Sequence, residues 1–160
     1  MTNRPTIDSL LAYVESCGIQ LPSEAVHIET FGDSPELSAE LLALIRSGAK
    51  RAGTSLLWAH EFEQEPVPRE GEIGIVVDHF GEPVFVTRFT NVEYVPFNEV
   101  DAEYAALEGE GDGTLSHWKE VHWDFFSREC NRVGRIPVPE MTVVCSVFEV
   151  IHGLPSKETA

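Results

Sequence analysis

Three carboxylates alternate with glycines in one short stretch of the chain. Glu108, Glu110 and Asp112 stand in the segment EGEGDG, at the end of a run from 99 to 112 that holds six carboxylates and no basic residue. Carboxylates can transfer protons or bind a divalent cation. They also suit the N-terminus of a helix predicted to begin at Thr114, so a solvated loop that caps this helix is an equally open interpretation.

Two histidines flank a tryptophan in the helix predicted after this loop. His117 and His122 are five positions apart and therefore lie on different faces, whereas metal ligands on one helix usually stand three or four apart. Trp118 and His122, four apart, share a face. We expect His122 to be a hydrogen-bonded histidine of the core or of a cleft rather than a metal ligand.

Isolated basic residues and large aromatic residues complete the candidates. Lys50 directly follows a predicted helix end at Gly48, where a solvated or cleft-facing lysine favours the helix dipole. Arg88 is a lone basic residue on a predicted strand and could enter a cleft. Four aromatic residues are expected in the core, although one of them could stack on a base: Trp58, Tyr94, Trp118 and Trp123. No phosphate-binding glycine loop, G-x-S-x-G or H-E-x-x-H motif occurs.

Interleaved helices and strands must position these side chains. Hydrophobic periodicity predicts helices over 7–17, 35–47, 99–107 and 114–132, and strands over 54–58, 73–78, 84–94 and 141–151. A capping residue before Pro35 predicts the start of the second helix. The strands follow a hairpin and long loops rather than regular βαβ units. The sequence therefore predicts an α+β fold, a small mixed barrel or curled sheet with flanking helices.

Charge and cysteine content bound the class of protein. The 160 residues carry a net charge of −16, which disfavours binding of double-stranded DNA and non-specific binding of nucleic acid, because both need clustered Lys and Arg. No apolar stretch is long enough for a membrane span, and no secretory leader pattern occurs at the N-terminus. The three cysteines contain no C-x-x-C pair and are expected to be reduced, in a cytoplasmic protein.

Four ordered segments resemble one family, the ASCH domains, which are small relatives of the PUA RNA-binding domains. No single segment is decisive, and the ordered set carries the resemblance. The segments are 47–50 with 54–58 (SGAK, TSLLW), 71–78 with 82–84 and Arg88, 95–100 (VPFNEV), and 108–112 with 116–122 (EGEGD, SHWKEVH). The resemblance implies a PUA-like mixed β-barrel over 27–152, preceded by a helical extension over 1–26 and followed by a loose tail over 153–160.

The resemblance also implies a cleft that binds a nucleobase, and some members resemble amidohydrolases that remove an acyl group from N4 of cytidine. On this basis we expect hydrolysis of an N4-acylated cytidine-type base, without a cofactor, in a protein whose partner is a nucleoside or single-stranded RNA. The residues expected to be catalytic are Lys50, Thr54 and Glu110, and those expected to bind substrate are Ser55, Trp58, Arg88, Trp118 and His122.

Two alternatives stay open. A metal-dependent ribonuclease would use a divalent cation on Glu108, Glu110 and Asp112, and a non-catalytic module would only bind RNA or a nucleotide. A small nucleoside suits a chain of net charge −16 better than a polyanion does, which favours the amidohydrolase. Glu108 or Asp112 could also take the role assigned to Glu110, because the short amidohydrolase members have a tighter spacing here.

The roles of the lysine and of the hydroxyl group are not decided by the sequence. Lys50 as a base needs a lowered pKa, whereas a nearby carboxylate raises the pKa and favours a cationic role. The short members carry threonine three positions after the lysine, where this chain has Gly53. If the chain is extended, Thr54 shares a face with Lys50 and Ser55 points away, which favours Thr54 as the nucleophile. A bulge at Gly53 would reverse this order.

Overall fold

The computed structural model describes residues 5–22 and 24–155. Within these residues, five strands form one sheet. The strands are β1 (Val26–Thr30), β2 (Ala52–Leu56), β3 (Ile73–Val77), β4 (Pro83–Pro96) and β5 (Thr142–Gly153). Their order across the sheet is β1-β3-β4-β5-β2. β1 runs parallel to β3 and every other neighbouring pair is antiparallel, so the sheet is mixed.

In the part of the chain that the structure describes, five α-helices surround the sheet: α1 (Ile7–Ser16), α2 (Pro35–Ser47), α3 (Leu57–Glu63), α4 (Ala102–Glu108) and α5 (Leu115–Val133). A short 3-10 helix covers Phe97–Glu99. The side chains of Ser34, Asp101 and Thr114 each accept a hydrogen bond from a backbone N–H of the first helical turn of α2, α4 and α5. Such caps satisfy donors that the helix itself leaves unpaired. In the described part of the chain, no helix is long and apolar enough to cross a membrane.

The sheet curls because its longest strand, β4, is irregular. The pairing register shifts between Val76 and Val77 of β3 and at two points between β4 and β5. An extra residue in one strand increases the local twist and bends the strand. The result is a half-barrel with flanking helices, which confirms the predicted α+β fold of the PUA-like class.

Three apolar clusters formed by the described residues hold the helices to the sheet. α1 packs Leu10 and Val14 on one face of β3 and β4, and α2 packs Leu42 and Ile45 on the opposite face. The third and largest cluster joins α3, α4 and α5 to β2 and β5. Its fully buried members include Leu56, Phe126, Met141 and Val143. The last two clusters flank the cavity described below.

Three sequence predictions about elements need correction. Strand β1 was not expected, although the residues of VHIET alternate apolar and polar, because five residues give a weak signal. Strand β2 ends at Leu56 rather than at Trp58, and the chain continues as α3. Leu56 and Ala59, three residues apart, pack into the same cluster, which is helical spacing. Helix α4 spans 102–108 rather than 99–107, after the 3-10 helix.

The ends of the chain are described only in part. Of the helical extension predicted over 1–26, residues 1–4 and 23 lie outside the described residues, and Val26 already belongs to β1. Of the segment predicted as a loose tail, Gly153 completes β5 and the N–H of Leu154 donates to the carbonyl of Val84 at 2.9 Å. Residues 156–160 lie outside the described residues.

Candidate active site

A cavity of about 1020 Å³ opens beside the curled sheet. Its walls are β1, β2, α3, one face of α5 and the loop 65–69. Ligand sites in proteins have volumes of roughly 300–1,000 Å³ and combine apolar walls with a few polar groups. Here the polar groups include Lys50, Thr54, Glu108 and Glu110, so the sequence-predicted catalytic residues all reach the same space.

Glu108 is the centre of a buried hydrogen-bonded cluster. Its Oε1 accepts from the Lys50 ammonium at 2.8 Å. Its Oε2 accepts from the Thr54 hydroxyl at 2.5 Å and from the Trp118 indole N–H at 2.6 Å, and it lies 3.2 Å from His122 Nε2. The side chain is only 2% exposed. Because both carboxylate oxygens accept hydrogen bonds, the carboxylate can remain charged in the interior.

Two glycines of the loop position the carboxylates of Glu108 and Glu110. Gly109 has φ +65°, and a Cβ there would lie 2.1 Å from the carbonyl oxygen of Ala49. Gly111 has φ +60°, and a Cβ there would lie 2.2 Å from the His117 ring. Positive φ and the absence of a side chain let the loop pass directly over the residue before Lys50. The glycine alternation therefore brings Glu108 and Glu110 to the same ammonium group.

Lys50 is buried and cationic. It is 2% exposed and lines the cavity, so of the two placements that the sequence leaves open, solvated or cleft-facing, the structure shows the cleft-facing one. Its Nζ donates to Glu108 at 2.8 Å and to Glu110 at 2.9 Å. Burial by itself lowers the pKa of Lys50, but the charges of Glu108 and Glu110 outweigh burial and raise it above its usual value. This direction favours the cationic role over the role of a base.

The two glutamates differ in proton affinity although they share one lysine. Burial would raise the pKa of Glu108, but the Lys50 charge and the His122 hydrogen bond hold it well below its usual value. Burial raises the pKa of Glu110, and the nearby Glu108 charge adds to that effect against the opposing charge of Lys50. Glu110 has a side chain 18% exposed. A pair of carboxyl groups whose pKa values are pushed apart is typical of acid–base sites.

Thr54 and Ser55 reach the cavity with different partners. Thr54 bonds Glu108 and Tyr104, whose hydroxyl also donates to the carbonyl of Gly53 at 2.8 Å. Ser55 bonds His60 at 2.8 Å instead. The regular pairing of 52–56 with 143–147 shows no bulge at Gly53. Thr54 therefore stands with Lys50 in the cluster, and its role as nucleophile stays a prediction.

The residues predicted to bind substrate divide into two groups. Trp118 and His122 stack at 4.2 Å and support Glu108, and His122 Nδ1 also donates to the carbonyl of Trp118. Trp58 packs against the largest apolar cluster beneath the Arg135 guanidinium, and Arg88 lies on β4 with its side chain 48% exposed beside Glu149. Of the residues predicted to bind substrate, Ser55 and His122 line the cavity, whereas Trp58, Arg88 and Trp118 do not.

A divalent cation does not fit the predicted carboxylate set well. Asp112 is exposed and accepts hydrogen bonds from the backbone and hydroxyl of Thr114, so it supports the residue that caps α5 and is not part of the group formed by Glu108, Glu110 and His122. Ligand atoms of Glu108, Glu110 and His122 do converge within 4.8 Å of one another. The Lys50 ammonium, however, already contacts both carboxylates. A cation bound by these two glutamates would meet the ammonium charge at short range.

Three residues of the site were missed by the sequence reasoning, and two of them, His60 and Glu29, line the cavity. Tyr104 contacts Thr54, and His60 contacts Ser55. Glu29 of β1 lines the cavity, and burial, with a smaller contribution from the Glu65 charge, raises the pKa of Glu29 to about 7. The polar positions of VHIET were the one available signal for Glu29. The other two depend on contacts between elements that the sequence pattern does not specify.

The cysteines offer no competing nucleophile in the cavity. Cys130 and Cys145 are buried and free, and Cys17 is free and half-buried. Burial raises the pKa of Cys145 to about 12, and burial also raises the pKa of Cys130. A thiol acts as a nucleophile only as thiolate. The chemistry of the cavity therefore rests on hydroxyl, carboxyl, ammonium and imidazole groups.

A half-barrel sheet, flanking helices and a polar cavity at the sheet edge define an α+β protein of the PUA-like class. The family model for the ASCH domain matches residues 27–152. The chain belongs to the ASCH domain family, and membership is consistent with a PUA-like module that binds nucleic acid.

Two solved structures show the same fold. The ASCH domain from Lactobacillus crispatus JV V101 is 31% identical, with 88% of this chain and 90% of that chain covered and a TM-score of 0.74. A protein from Enterococcus faecalis V583 is 32% identical, with 93% of this chain and 89% of that chain covered and a TM-score of 0.78. Among curated proteins, none matches this chain.

Proposed function

We propose that the cavity hydrolyses the amide of an N4-acylated cytidine-type nucleoside. The observation that supports this most strongly is the pair Glu108 and Glu110, which share the Lys50 ammonium and have opposite pKa shifts. Amide hydrolysis needs a nucleophile, a group that stabilises the oxyanion and an acid for the leaving amine. All three types of group line this one cavity.

In the proposed reaction the Thr54 oxygen attacks the acyl carbon, and its proton passes to Glu108, the carboxylate that it contacts at 2.5 Å. Once Glu108 is neutral, the Lys50 ammonium is free to stabilise the oxyanion. Glu110, whose pKa is raised, donates a proton to the exocyclic amine as the C–N bond breaks. Water then hydrolyses the acyl-threonine ester, which releases the carboxylic acid and restores the Thr54 hydroxyl.

The charge of the cavity favours a nucleoside over a long RNA. Among the described residues, eight carboxylate residues line it against three Lys and Arg residues. Of those three, Lys50 is paired with two glutamates and Arg128 with Asp33 and Asp124. Phosphate groups need unpaired cations, and the salt dependence of RNA binding follows their number. A neutral base that stacks and forms hydrogen bonds is compatible with acidic walls.

Turnover of N4-acetylcytidine, followed by absorbance, tests the proposal. Thr54→Val should abolish turnover, because it removes the nucleophile but keeps the side-chain shape. Glu110→Gln should lower kcat by about 10²–10⁴-fold and Lys50→Met by about 10²–10³-fold. Arg88→Ala is the control, because Arg88 is outside the cavity. Wild-type turnover in folded Thr54→Val would refute the assignment of the nucleophile, and no turnover by the wild type would refute the amidase.

A metal-dependent ribonuclease is the second candidate, because Glu108, Glu110 and His122 can converge on one ion. The two candidates respond differently to a chelator. The amidase should be unaffected by EDTA, since no step passes through a metal. The second candidate would replace the first if the protein cleaved single-stranded RNA but did not hydrolyse N4-acetylcytidine. EDTA should then stop the cleavage and manganese should restore it.

A further inference from the structure

A serine and a histidine form a second reactive pair on the same cavity, away from the lysine cluster. Ser55 Oγ lies 2.8 Å from His60 Nε2. Ser55 is on β2 and His60 is in α3, five residues later, and both side chains are half-buried and line the cavity. A hydroxyl within hydrogen-bond reach of an imidazole is the arrangement of an activated nucleophile and its base.

The imidazole is held in the tautomer that this chemistry needs. His60 Nδ1 lies 3.3 Å from the backbone carbonyl of Glu65. A carbonyl only accepts, so Nδ1 carries the proton and Nε2 of the neutral ring presents a lone pair to the Ser55 hydroxyl. The orienting group of a nucleophile–base pair is often a carboxylate, and here a backbone carbonyl has that place.

A strained turn keeps this carbonyl in position. Gln64 has φ +55°, a left-handed conformation that is unusual for a residue other than glycine, and it ends α3. The reversal brings the N–H of Glu65 to 3.0 Å from the His60 carbonyl, while the carbonyl of Glu65 accepts from the His60 ring. Two bonds between residues 60 and 65 therefore fix both backbone and ring. Strain of this kind persists where the surrounding structure requires it and is concentrated at functional sites.

We propose that Ser55 is a nucleophile activated by His60 and that this pair accepts acyl groups from esters with good leaving groups. The Ser55 oxygen attacks the ester carbonyl while its proton moves to His60 Nε2. The bond to the leaving alcohol then breaks, and the alcohol takes the proton from His60. Water, deprotonated by His60, hydrolyses the acyl-serine to a carboxylic acid and regenerates the pair.

This activity goes beyond the proposed amidase and does not depend on it. Thr54 belongs to the Lys50 cluster, and the next residue of the same strand points to the other side and bonds His60. The Ser55 pair has its own base and its own orienting carbonyl. An ester of an alcohol with a low pKa needs no acid as strong as the one that an amide requires, so Glu110 is not part of the step.

Covalent labelling with an alkyl fluorophosphonate tests the proposal, followed by intact mass and peptide mapping. The wild type should gain one adduct, on Ser55. Ser55→Ala should gain none, His60→Gln should label about 10²-fold more slowly, and Ser116→Ala should label like the wild type, because Ser116 is an exposed serine of α5 outside the cavity. Release of p-nitrophenol from p-nitrophenyl acetate should follow the same order.

The wild-type protein alone can refute the proposal, whether or not the variants fold. Absence of an adduct on Ser55, whether another residue is labelled instead or none is, would overturn it, and so would unchanged labelling of folded His60→Gln. Folding of each variant is checked by its melting temperature. Labelling of Ser55 and turnover of N4-acetylcytidine are separate readouts, so failure of the serine pair is distinguishable from failure of the amidase.

Discussion

The two sides of strand β2 carry reactive groups under very different constraints. On one side, Lys50, Thr54 and Glu108 form a cluster in which the lysine and the glutamate are no more than 2% exposed. On the other side, Ser55 and His60 are half-buried and are held by one turn of backbone. The adjacent residues Thr54 and Ser55 thus face different surroundings. Thr54 faces a buried cluster of paired charges, and Ser55 faces a more open wall of the cavity.

The difference shows what burial does to chemistry. In the Lys50 cluster, each charged group is stabilised by the opposite charges and hydrogen bonds around it. The pKa values of Lys50, Glu108 and Glu110 therefore depend on one another. Removal of one member leaves another charge buried without compensation. The serine pair depends on geometry alone, so a substitution there should change reactivity but little of the stability. The following predictions test this contrast, from the largest expected effect to the smallest.

Glu108→Gln should be the most destabilising of these substitutions. The amide keeps the shape but removes the charge that compensates Lys50, and breaking a buried ion pair costs about 3–5 kcal/mol. Ser55→Ala should cost no more than about 1 kcal/mol, the contribution of one partly exposed hydrogen bond. Urea denaturation of both variants measures the free energies of unfolding. Equal losses would show that the contrast between the two sides is wrong.

Gly109→Ala should also destabilise the protein, by about 2–3 kcal/mol, because a Cβ adds strain at positive φ and a clash with backbone. The clash is with the carbonyl oxygen of Ala49, 2.1 Å away. Gly113→Ala is the matched control, since Gly113 also has positive φ but a Cβ there meets nothing within 4 Å. The difference between the two unfolding free energies isolates the close approach of the loop to Lys50. No difference would mean that this approach does not constrain the cluster.

Glu29, on the β1 wall of the cavity, should make the stability of the protein depend on pH. Its folded pKa is about 7, above the unfolded value of 4.5. The folded protein then binds more protons between these values, so stability falls as pH rises from about 4.5 to 7. For a partly accessible carboxyl the loss should be about 1–3 kcal/mol. Glu29→Gln should flatten this part of the profile and the exposed Glu120→Gln should not, as measured by unfolding across the pH range.

Arg88→Ala should have the smallest effect. The Arg88 side chain is 48% exposed, its partner Glu149 is 50% exposed and 3.4 Å away, and exposed pairs of this kind contribute about 0–1 kcal/mol. We expect a change in unfolding free energy within about 0.5 kcal/mol and an unchanged KM for N4-acetylcytidine. A raised KM would show that Arg88 does bind substrate and that the site extends beyond the cavity.

Local patterns in the sequence determined much of the fold. The Ser34-Pro35 start of α2, its end at Gly48, and the start of α5 at Thr114 are local features, and each appears where the pattern predicted it. The ordered segments also identified the ASCH domain family, which the family model and two related structures confirm. Two elements escaped prediction, α3 and β1. Strand β1 pairs in parallel with β3, which comes 43 or more residues later. A five-residue strand carries too little local signal to predict such a partner.

The tertiary structure decided which residues act together. Both Glu108 and Glu110 were candidates from the sequence, but only the fold puts Glu108 beneath Lys50, 58 residues away, and leaves Glu110 at the cavity wall. Likewise, Ser55 became one half of a pair only because β2 ends at Leu56 and α3 brings His60 back to it. Residue types and spacing specify local backbone geometry. Burial and charge pairing, which set the pKa of each group, depend on contacts between elements distant in the chain.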